Sequence, residues 1–510
     1  MDKQPKIVFP EGSIIEAGSS LIISSNSSAY KNLFACYPDF EYNFDIPEVK
    51  DMIEEGSVIL NNKADVIALK DRYNRTIDVI IYGEWKRVIG WEGKPVGRLR
   101  KGEIFERKRE NGPYLDTNTS LDWKIVKLGR SKIDTTLFSG NMGIVGAVSP
   151  DCSLSVLIKE LNTTKRFVIL NSYLFANPWI EDILMRLIER GVNITILVEG
   201  NPVAEKENKD SLKRLKDEGA IIYEMKSSDG YRRYRFDHAK YCIIDNRSLI
   251  IGSANFDRNG YPKGKGNREW LVIVRNSSVA RFFYRLFKMD ISMPDVCVVN
   301  ISARDEYNEP FAPEDKFLPR MEPLEVEDNV TILPIISPDN SEKVLLEIFR
   351  RAKRSIYIEQ MIFDPYEIDR LTRELINASR RGVDVKIIVN SRYAEKEKLS
   401  VLRDYGIDVK LVDPKDLDLT NIHVKGIIVD NSTVVISSIN LNHGSIYENR
   451  EAGLVIENQE IARYFAKAFF LDWRMKVESS EKDYKNVFLL TFLLCLTLTA
   501  ILKNWRSKIR

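Results

Sequence analysis

The chain has 510 residues, 44% hydrophobic and 29% charged, a profile that excludes wholesale disorder and fits roughly two to four folded domains. A formal net charge of +2 excludes a global electrostatic pull toward nucleic acid or anionic lipid. The 5 cysteines show no C-x-x-C and no metal spacing, and with only 3 histidines neither a transition-metal site nor any other cofactor is expected.

The opening residues Met1–Pro5 carry neither the apolar stretch nor the cleavage site of a signal peptide. From Lys6 to Trp123 short apolar runs alternate with turn residues, as in Ser20–Ser24, Ser57–Leu60, Asp65–Leu69 and Ile77–Ile81. That spacing predicts an all-β sandwich over residues 1–128. Ala17–Ile23 and Gly112–Trp123 resemble pieces of the lamin-tail domain, an immunoglobulin-like sandwich, which implies a binding or spacing role. The strands that open that family should precede Ile7 and are missing. An earlier start of the chain is expected to add them, together with an export signal.

Gly129–Gly146 reads as a Gly/Ser/Thr-containing connector, giving a linker at 129–147. A duplication follows. Val148-Ser149-Pro150-Asp151 opens one half (148–291) and Ile336-Ser337-Pro338-Asp339 marks the start of the other (329–477). Between them Ser292–Asp328, rich in Pro, Glu and Asp, reads as a linker or exposed excursion. Each half repeats one order. A helical stretch (Leu154–Leu161; Val344–Ala352) is followed by a buried strand (Phe167–Leu170; Ile356–Ile358). An amphipathic helix (Pro178–Arg190; Pro365–Arg381) then stops at Gly191 or Gly382. Strands Ile194–Val198 and Val385–Val389 come next, and after another helix Ile221–Tyr223 and Val409–Val412. Alternation of this kind predicts an α/β/α sandwich in each half. The two halves should pack face to face about a pseudo-twofold axis.

The chemistry-bearing residues close each half. Phe236–Asn255 reads FDHAKYCIIDNRSLIIGSAN, and Ile422–Asn440 reads IHVKGIIVDNSTVVISSIN. His238 and Lys240 are two apart, so on a strand they share a face, and His423 and Lys425 do the same. Asp245-Asn246 and Asp430-Asn431 read as turns. The returning strands end at Ser253 and Asn255, and at Ser438 and Asn440, near where the histidines entered. Asn267-Arg268-Glu269 and Asn449-Arg450-Glu451 follow. An imidazole, an ammonium, a hydroxyl and an amide then converge, the set a phosphate ester needs: a nucleophile or proton carrier with donors for the phosphoryl oxygens.

This H-x-K-x4-D-x6-G-S-x-N pattern, present twice, is similar to that of the phospholipase D superfamily; the second copy has Ser437 where the family usually has Gly. The resemblance, spanning roughly 148–473, implies a metal-free two-step reaction through a phosphohistidine. It suggests His238 as nucleophile and His423 as acid, with Glu269 and Glu451 orienting the imidazoles. Lys240 and Lys425 would neutralise the phosphate, while Asn255, Asn440, Ser253 and Ser438 donate to its oxygens. Asp245 and Asp430 are expected to be structural, and His443 to lie on a surface loop.

Val487–Leu502 carries no charge, is flanked by Tyr484 and Trp505, and is followed by Lys503, Arg506, Lys508 and Arg510. It predicts a transmembrane helix over 484–505, a single-pass C-terminal membrane anchor, with a basic tail (506–510) inside and the catalytic halves extracytoplasmic. The sequons at Asn26, Asn74, Asn193 and Asn246 suit that side, whereas the missing signal peptide argues against it. The leading expectation is a phosphodiesterase acting on phospholipid, active as a monomer. A phosphatidyltransferase of cardiolipin synthase type and an exported nuclease are the alternatives. For the nuclease, Tyr231-Arg232-Arg233-Tyr234-Arg235 and Lys263-Gly264-Lys265 would bind the strand.

Overall fold

The computed structural model describes residues 5–474, apart from 300–315 and the shorter stretches 17–18, 35, 44–45, 62, 85–87, 100–101, 109–113, 128–129, 132, 134–135, 203–204 and 227–230. In the N-terminal part, strands pair in small groups. Lys6–Val8 pairs with Ile53–Glu55, Asp65–Lys70 with Thr76–Tyr82, and Glu103–Arg107 with Trp123–Lys127; Ile23–Ser24, Phe40–Glu41 and Lys50–Asp51 form a triplet. Their core is small, built around Val79, Ile81, Tyr82, Trp91 and Val96. The expected two-sheet sandwich is therefore corrected for the described residues. Ser57–Leu60 is not a strand, and Ser27–Phe34 is a helix. Ile59, Ile77 and Ile89 stay exposed, so the apolar runs do not face one another across a shared core.

The duplicated part follows the alternating pattern. In the first half the strands are β1 (Phe138–Ser149), β2 (Phe167–Ser172), β3 (Asn193–Glu199), β4 (Ile221–Met225), β5 (Tyr241–Ile244), β6 (Ser248–Gly252) and β7 (Asn267–Arg275), with β8 (Val296–Val298) at the edge. The second half has β9 (Leu324–Ser337), β10 (Ser355–Gln360), β11 (Asp384–Asn390), β12 (Asp408–Val412), β13 (Lys425–Val429), β14 (Thr433–Ser437) and β15 (Glu451–Glu457). The order along the sheet is β8-β4-β3-β2-β5-β6-β7-β1-β9-β15-β14-β13-β10-β11-β12. In each half three strands run parallel with helical crossovers, and the motif hairpin adds antiparallel to their inner edge. The helices α1 (Ser153–Leu161), α2 (Pro178–Glu189) and α3 (Glu205–Asp217) cover the outer face of the first half. Asn177 caps α2 by accepting from the Trp179 and Ile180 amides, and Gly191, at φ +82°, ends it as the sequence predicts.

Two connectors differ from expectation. The connector at 129–147 becomes a strand from Phe138, where Gly143 and Gly146 make room for neighbours instead of bending the chain. A Cβ on Gly146 would lie 3.1 Å from the Tyr464 ring of the last helix, α4 (Gln459–Arg474). The excursion 292–328 contributes β8 and the start of β9, whose Glu325 and Glu327 face solvent while Val326 is buried. β1 and β9 then pair antiparallel from Phe138↔Ile332 to Gly146↔Leu324, joining both halves into one sheet.

The halves also meet face to face, sharing an inner core that runs from Tyr241, Trp270 and Phe283 to Ile428, Ala452 and Phe465. There the pseudo-symmetry breaks by size. Gly426 on β13 lies under Trp270 of β7, and a Cβ on it would come within 2.2 Å of the indole. Gly426 aligns with Tyr241, and Trp270 with Ala452, so bulk and gap are exchanged between the repeats.

Among the described residues no helix is long and apolar enough to cross a membrane. That finding overturns the expected single-pass anchor and the extracytoplasmic placement that depended on it. The segment 484–505 itself lies outside the described residues.

Gly426→Ala is expected to lower the melting temperature, at a cost of about 1–3 kcal/mol from overpacking. Combined with Trp270→Phe, the loss should be smaller than the two single losses summed; thermal unfolding of the three variants measures both.

Candidate active site

The turn at the end of each motif hairpin sets the strand geometry. Asp245 and Asn246 (φ +53° and +52°), like Asp430 and Asn431 (φ +54° and +53°), have the paired positive φ of a type I′ turn. The Asp245 carboxylate accepts from the amides of Lys165, Arg166 and Phe167, each at 2.9 Å. Asp430 does the same with Lys353, Arg354 and Ser355. Burial works to raise both carboxyls, but these amides hold them below the ordinary range. Both residues anchor the hairpin to the start of the neighbouring strand.

At the other end the two halves exchange partners. Phe236–His238 lies along the Asn449–Glu451 segment: the His238 amide donates to the Arg450 carbonyl at 2.8 Å, and the Arg450 amide to the Phe236 carbonyl at 2.9 Å. Asn421–Ile422 pairs in the same way with Asn267–Arg268, and the His423 amide donates to the Arg268 carbonyl at 3.0 Å. Each histidine thus meets the glutamate of the opposite half. His238 Nδ1 lies 2.8 Å from Glu451 Oε2. His423 Nδ1 lies 2.6 Å from Glu269 Oε1, off the axis of the ring N–H. With a carboxylate accepting at Nδ1, the neutral imidazole carries its proton there and keeps a lone pair on Nε2.

The glutamates are fully buried and held on several sides. Ser253 Oγ donates to Glu269 at 2.6 Å, and Ser438 Oγ to Glu451 at 2.5 Å. Each hydroxyl also accepts the amide of the residue that follows the same glutamate, Trp270 or Ala452, at 3.1 Å. Asn267 and Asn449 donate to the same carboxylates at 3.3 and 3.0 Å. The two serines therefore serve the glutamates; the sequence reading had aimed them at phosphoryl oxygens. Lys240 Nζ and Lys425 Nζ each donate to the carbonyl of the histidine two residues earlier, at 2.6 Å. The side-chain oxygens of Asn255 and Asn440 are buried without a donor from the described residues. His443 lies half-exposed with its ring against Tyr447.

Burial dominates the electrostatics. It pushes the His238 imidazolium down to about 4 against the pull of Glu451, and lowers His423 against that of Glu269. Burial also lowers Lys240 to about 7 and Lys425 to about 8, where attraction to Glu451 and Glu269 opposes it. The glutamates would be raised by burial, but the facing imidazoles and lysines hold them below their usual range.

Sequence reasoning missed the layer behind this site. Arg268, buried, donates to Asp472 of α4 at 2.7 and 2.9 Å and to Asp151 at 2.6 Å. Arg450 does so to Asp290 at 2.8 Å and Asp339 at 2.9 Å. The signal was present: the same residue, Arg, stands between Asn and Glu in both copies, and an Asp ends both S-P-D landmarks. The connectors enter here as well. Ser131 Oγ bonds Asp339 at 2.9 Å and accepts from Arg450 at 2.6 Å, while the Arg320 and Met321 amides donate to Asp151 at 2.6 and 2.9 Å. The basic residues of the expected strand-binding loop are paired with carboxylates, Arg233 in the core and Arg235 at the surface. Arg233 is buried on Asp295 and Asp290, Arg232 pairs with Glu199, Arg235 with Glu448, and Lys265 with Asp418. Among the described residues no group of His, Cys, Asp and Glu has the arrangement of a metal site.

Two mixed α/β halves complete each other's His–Glu pairs across one seam. Residues 157–291 and 345–473, more than half of the chain, match the family described as "Cardiolipin synthase, PLD-like domain". The chain belongs to this phospholipase D-like family. It is 23% identical over 329 residues to cardiolipin synthase A of Proteus mirabilis, covering 60% of this chain and 64% of that one. Over 137 residues it is 29% identical to the mitochondrial cardiolipin hydrolase of Canis lupus familiaris, 26% of this chain and 51% of that one. The chain thus spans less than two thirds of the length of these relatives. A solved phosphatidylserine synthase of Haemophilus influenzae Rd KW20 matches at TM-score 0.48 and 14% identity, over 63% of this chain and 84% of that one.

The low His238 value makes a stability prediction. In the unfolded chain the ring titrates near 6.5 and in the folded one near 4, so between these values the unfolded state binds more protons. Stability from this group is fully present above pH 6.5 and is lost as the pH falls toward 4. The difference in unfolding free energy between wild type and His238→Gln, followed by denaturant titration from pH 7 to 4, should therefore change in favour of the variant.

Proposed function

We propose that the seam cleaves or exchanges phosphodiesters of phospholipids through a phosphohistidine. The observation that carries this reading is the crossed pairing of His238 with Glu451 and His423 with Glu269. It fixes two imidazoles by Nδ1 and leaves two Nε2 atoms for one phosphorus. His238 Nε2 forms the N–P bond as the P–O bond to the departing alcohol breaks, and His423, as imidazolium, protonates that oxygen. Water or a second alcohol then gives its proton to His423 and forms a new P–O bond as the N–P bond breaks. Lys240, Lys425, Asn255 and Asn440 hold the equatorial oxygens. The phosphate charge on arrival favours the charged forms of His423 and both lysines, which burial otherwise opposes. One chain supplies every group, so the monomer is the active unit.

Lipid is favoured over nucleic acid for two reasons. A relative matching over 329 residues is named for cardiolipin synthesis, and one matching over 137 residues for cardiolipin hydrolysis. The described arginines of the loop before His238 pair with Glu199, Asp290, Asp295 and Glu448, which reduces the positive charge this loop offers a polyanion. We also infer a binding or spacing role for residues 1–128, on their resemblance to lamin-tail domains.

The test uses phosphatidylglycerol labelled in its head group, with and without added glycerol. Labelled glycerol released together with phosphatidic acid marks hydrolysis; labelled glycerol released together with a diphosphatidyl product that retains label marks transfer. His238→Ala and His423→Ala should each lower turnover by about 1000-fold or more, with the fold intact by circular dichroism. Near-normal turnover in either ends the scheme, and EDTA should change nothing. A p-nitrophenyl diester, whose leaving group needs no proton, separates the roles: His423→Ala should still release one equivalent and trap the phosphohistidine, and His238→Ala should release none.

A further inference from the structure

The two lips of the site are chemically unlike. Phe236 stands two residues before His238, on the same side of the extended segment. Tyr173, just beyond β2, is edge-on to both: its ring centroid lies 5.1 Å from that of His238 and 6.0 Å from that of Phe236. Lys240 Nζ is 5.5 Å from the same ring. Tyr173 and Phe236 are both half-buried, so this aromatic wall reaches from the reacting imidazole toward solvent. In the second half the register places Met361 where Tyr173 stands and Asn421 where Phe236 stands. Asn421 Oδ1 accepts from Asn390 Nδ2 at 2.5 Å, and Arg392 Nη1 donates to the Thr420 carbonyl at 2.9 Å. The His423 side is thus bordered by one thioether side chain, Met361, together with amides and a guanidinium.

We infer that Tyr173 and Phe236 are specificity-determining residues that hold the apolar, acylated part of a phosphatidyl substrate, while the Asn421 side faces the polar alcohol that leaves or enters. This rests on the reading of the site as a phospholipid phosphodiesterase or transferase. In an in-line displacement the departing alcohol lies opposite the nucleophile, on the His423 side. The retained ester is equatorial and can lean toward either lip. An apolar substituent gains by removing surface from water against aromatic rings, and gains nothing against hydrogen-bonding amides. Stacked bases would also suit two aromatic rings. A nucleic acid strand needs cations along its backbone, however, and Arg232, Arg233 and Arg235 are occupied by Glu199, Asp290, Asp295 and Glu448.

The experiment compares two substrates with one head group: dioleoylphosphatidylglycerol in mixed micelles, and glycerophosphoglycerol, which lacks acyl chains. A single-stranded DNA oligonucleotide is the third arm. In Tyr173→Ala and Phe236→Ala, kcat/KM for the acylated substrate should fall about 10-fold more than for the deacylated one, mainly through KM, a size usual for losing a few methylenes' worth of contact. Tyr173→Phe should keep the wild-type ratio. Phe236→Asn, which copies the residue of the other lip, gives a second reading if an alanine variant melts early. Equal falls on both substrates in variants of unchanged melting temperature would overturn the inference. So would aromatic dependence seen only for DNA cleavage. A wild-type protein inactive on both lipidic substrates would instead overturn the underlying assignment, and this inference with it.

Discussion

A buried carboxylate must find positive charge or donors, and in this chain each of the two at the seam finds its imidazole in the opposite repeat and its hydroxyl and amide donors in its own. Glu451 faces His238, and Glu269 faces His423. That exchange governs the rest of the catalytic architecture. It requires the strand bearing each glutamate to run beside the segment bearing the other histidine, which the Arg450–Phe236 and His423–Arg268 backbone bonds achieve. It also explains the serine hydroxyls, which are spent on the glutamates, and the depressed lysines, which share a dry region with two anions and with each other.

The second layer repeats the same logic one step farther out. Arg268 and Arg450 follow the extended backbone beside their glutamates and point to the opposite side, into carboxylates drawn from both repeats. Breaking a buried pair of this kind costs about 3–5 kcal/mol, because it strands a charge in the core. The connectors that look irregular in sequence close these clusters: Ser131 completes the Arg450 group, and the amides of Arg320 and Met321 complete the Asp151 carboxylate. The segment leading out of the N-terminal part is therefore bonded directly to the scaffold of His238.

Much of this was legible in the residues. Duplicated H-x-K spacing and two N-R-E triplets located the site, and the Asp-Asn pairs identified the hairpin turns that positive φ values now describe. What a linear pattern does not contain is partner choice. Glu269 follows His238 in sequence, yet it serves His423, because three-dimensional pairing across the seam decides it. Glycines at 143 and 146 disguised a strand as a linker, since they lie against the side chains of Arg275 and of Tyr464 and Phe465. Acidic residues disguised the start of β9, since they occupy its solvent face. In the N-terminal part, alternating apolar runs were read as one sandwich, but the strands pair in small groups with several isoleucines left exposed. The apolar C-terminal run was read from composition alone, and no described helix has the length and character of a membrane span.

Joining the repeats through β1 and β9 frees them from having to be copies. If two identical subunits built this seam, any bulky residue would meet a partner surface bearing the same bulk, so a large ring could rest only on something that tolerated it twice. Here Trp270 can demand a glycine at 426 while Tyr241 and Ala452 hold the reversed sizes. Covalent fusion turns a self-complementary surface into a lock with a distinct key, and drift in one repeat can be answered in the other without sacrificing fit.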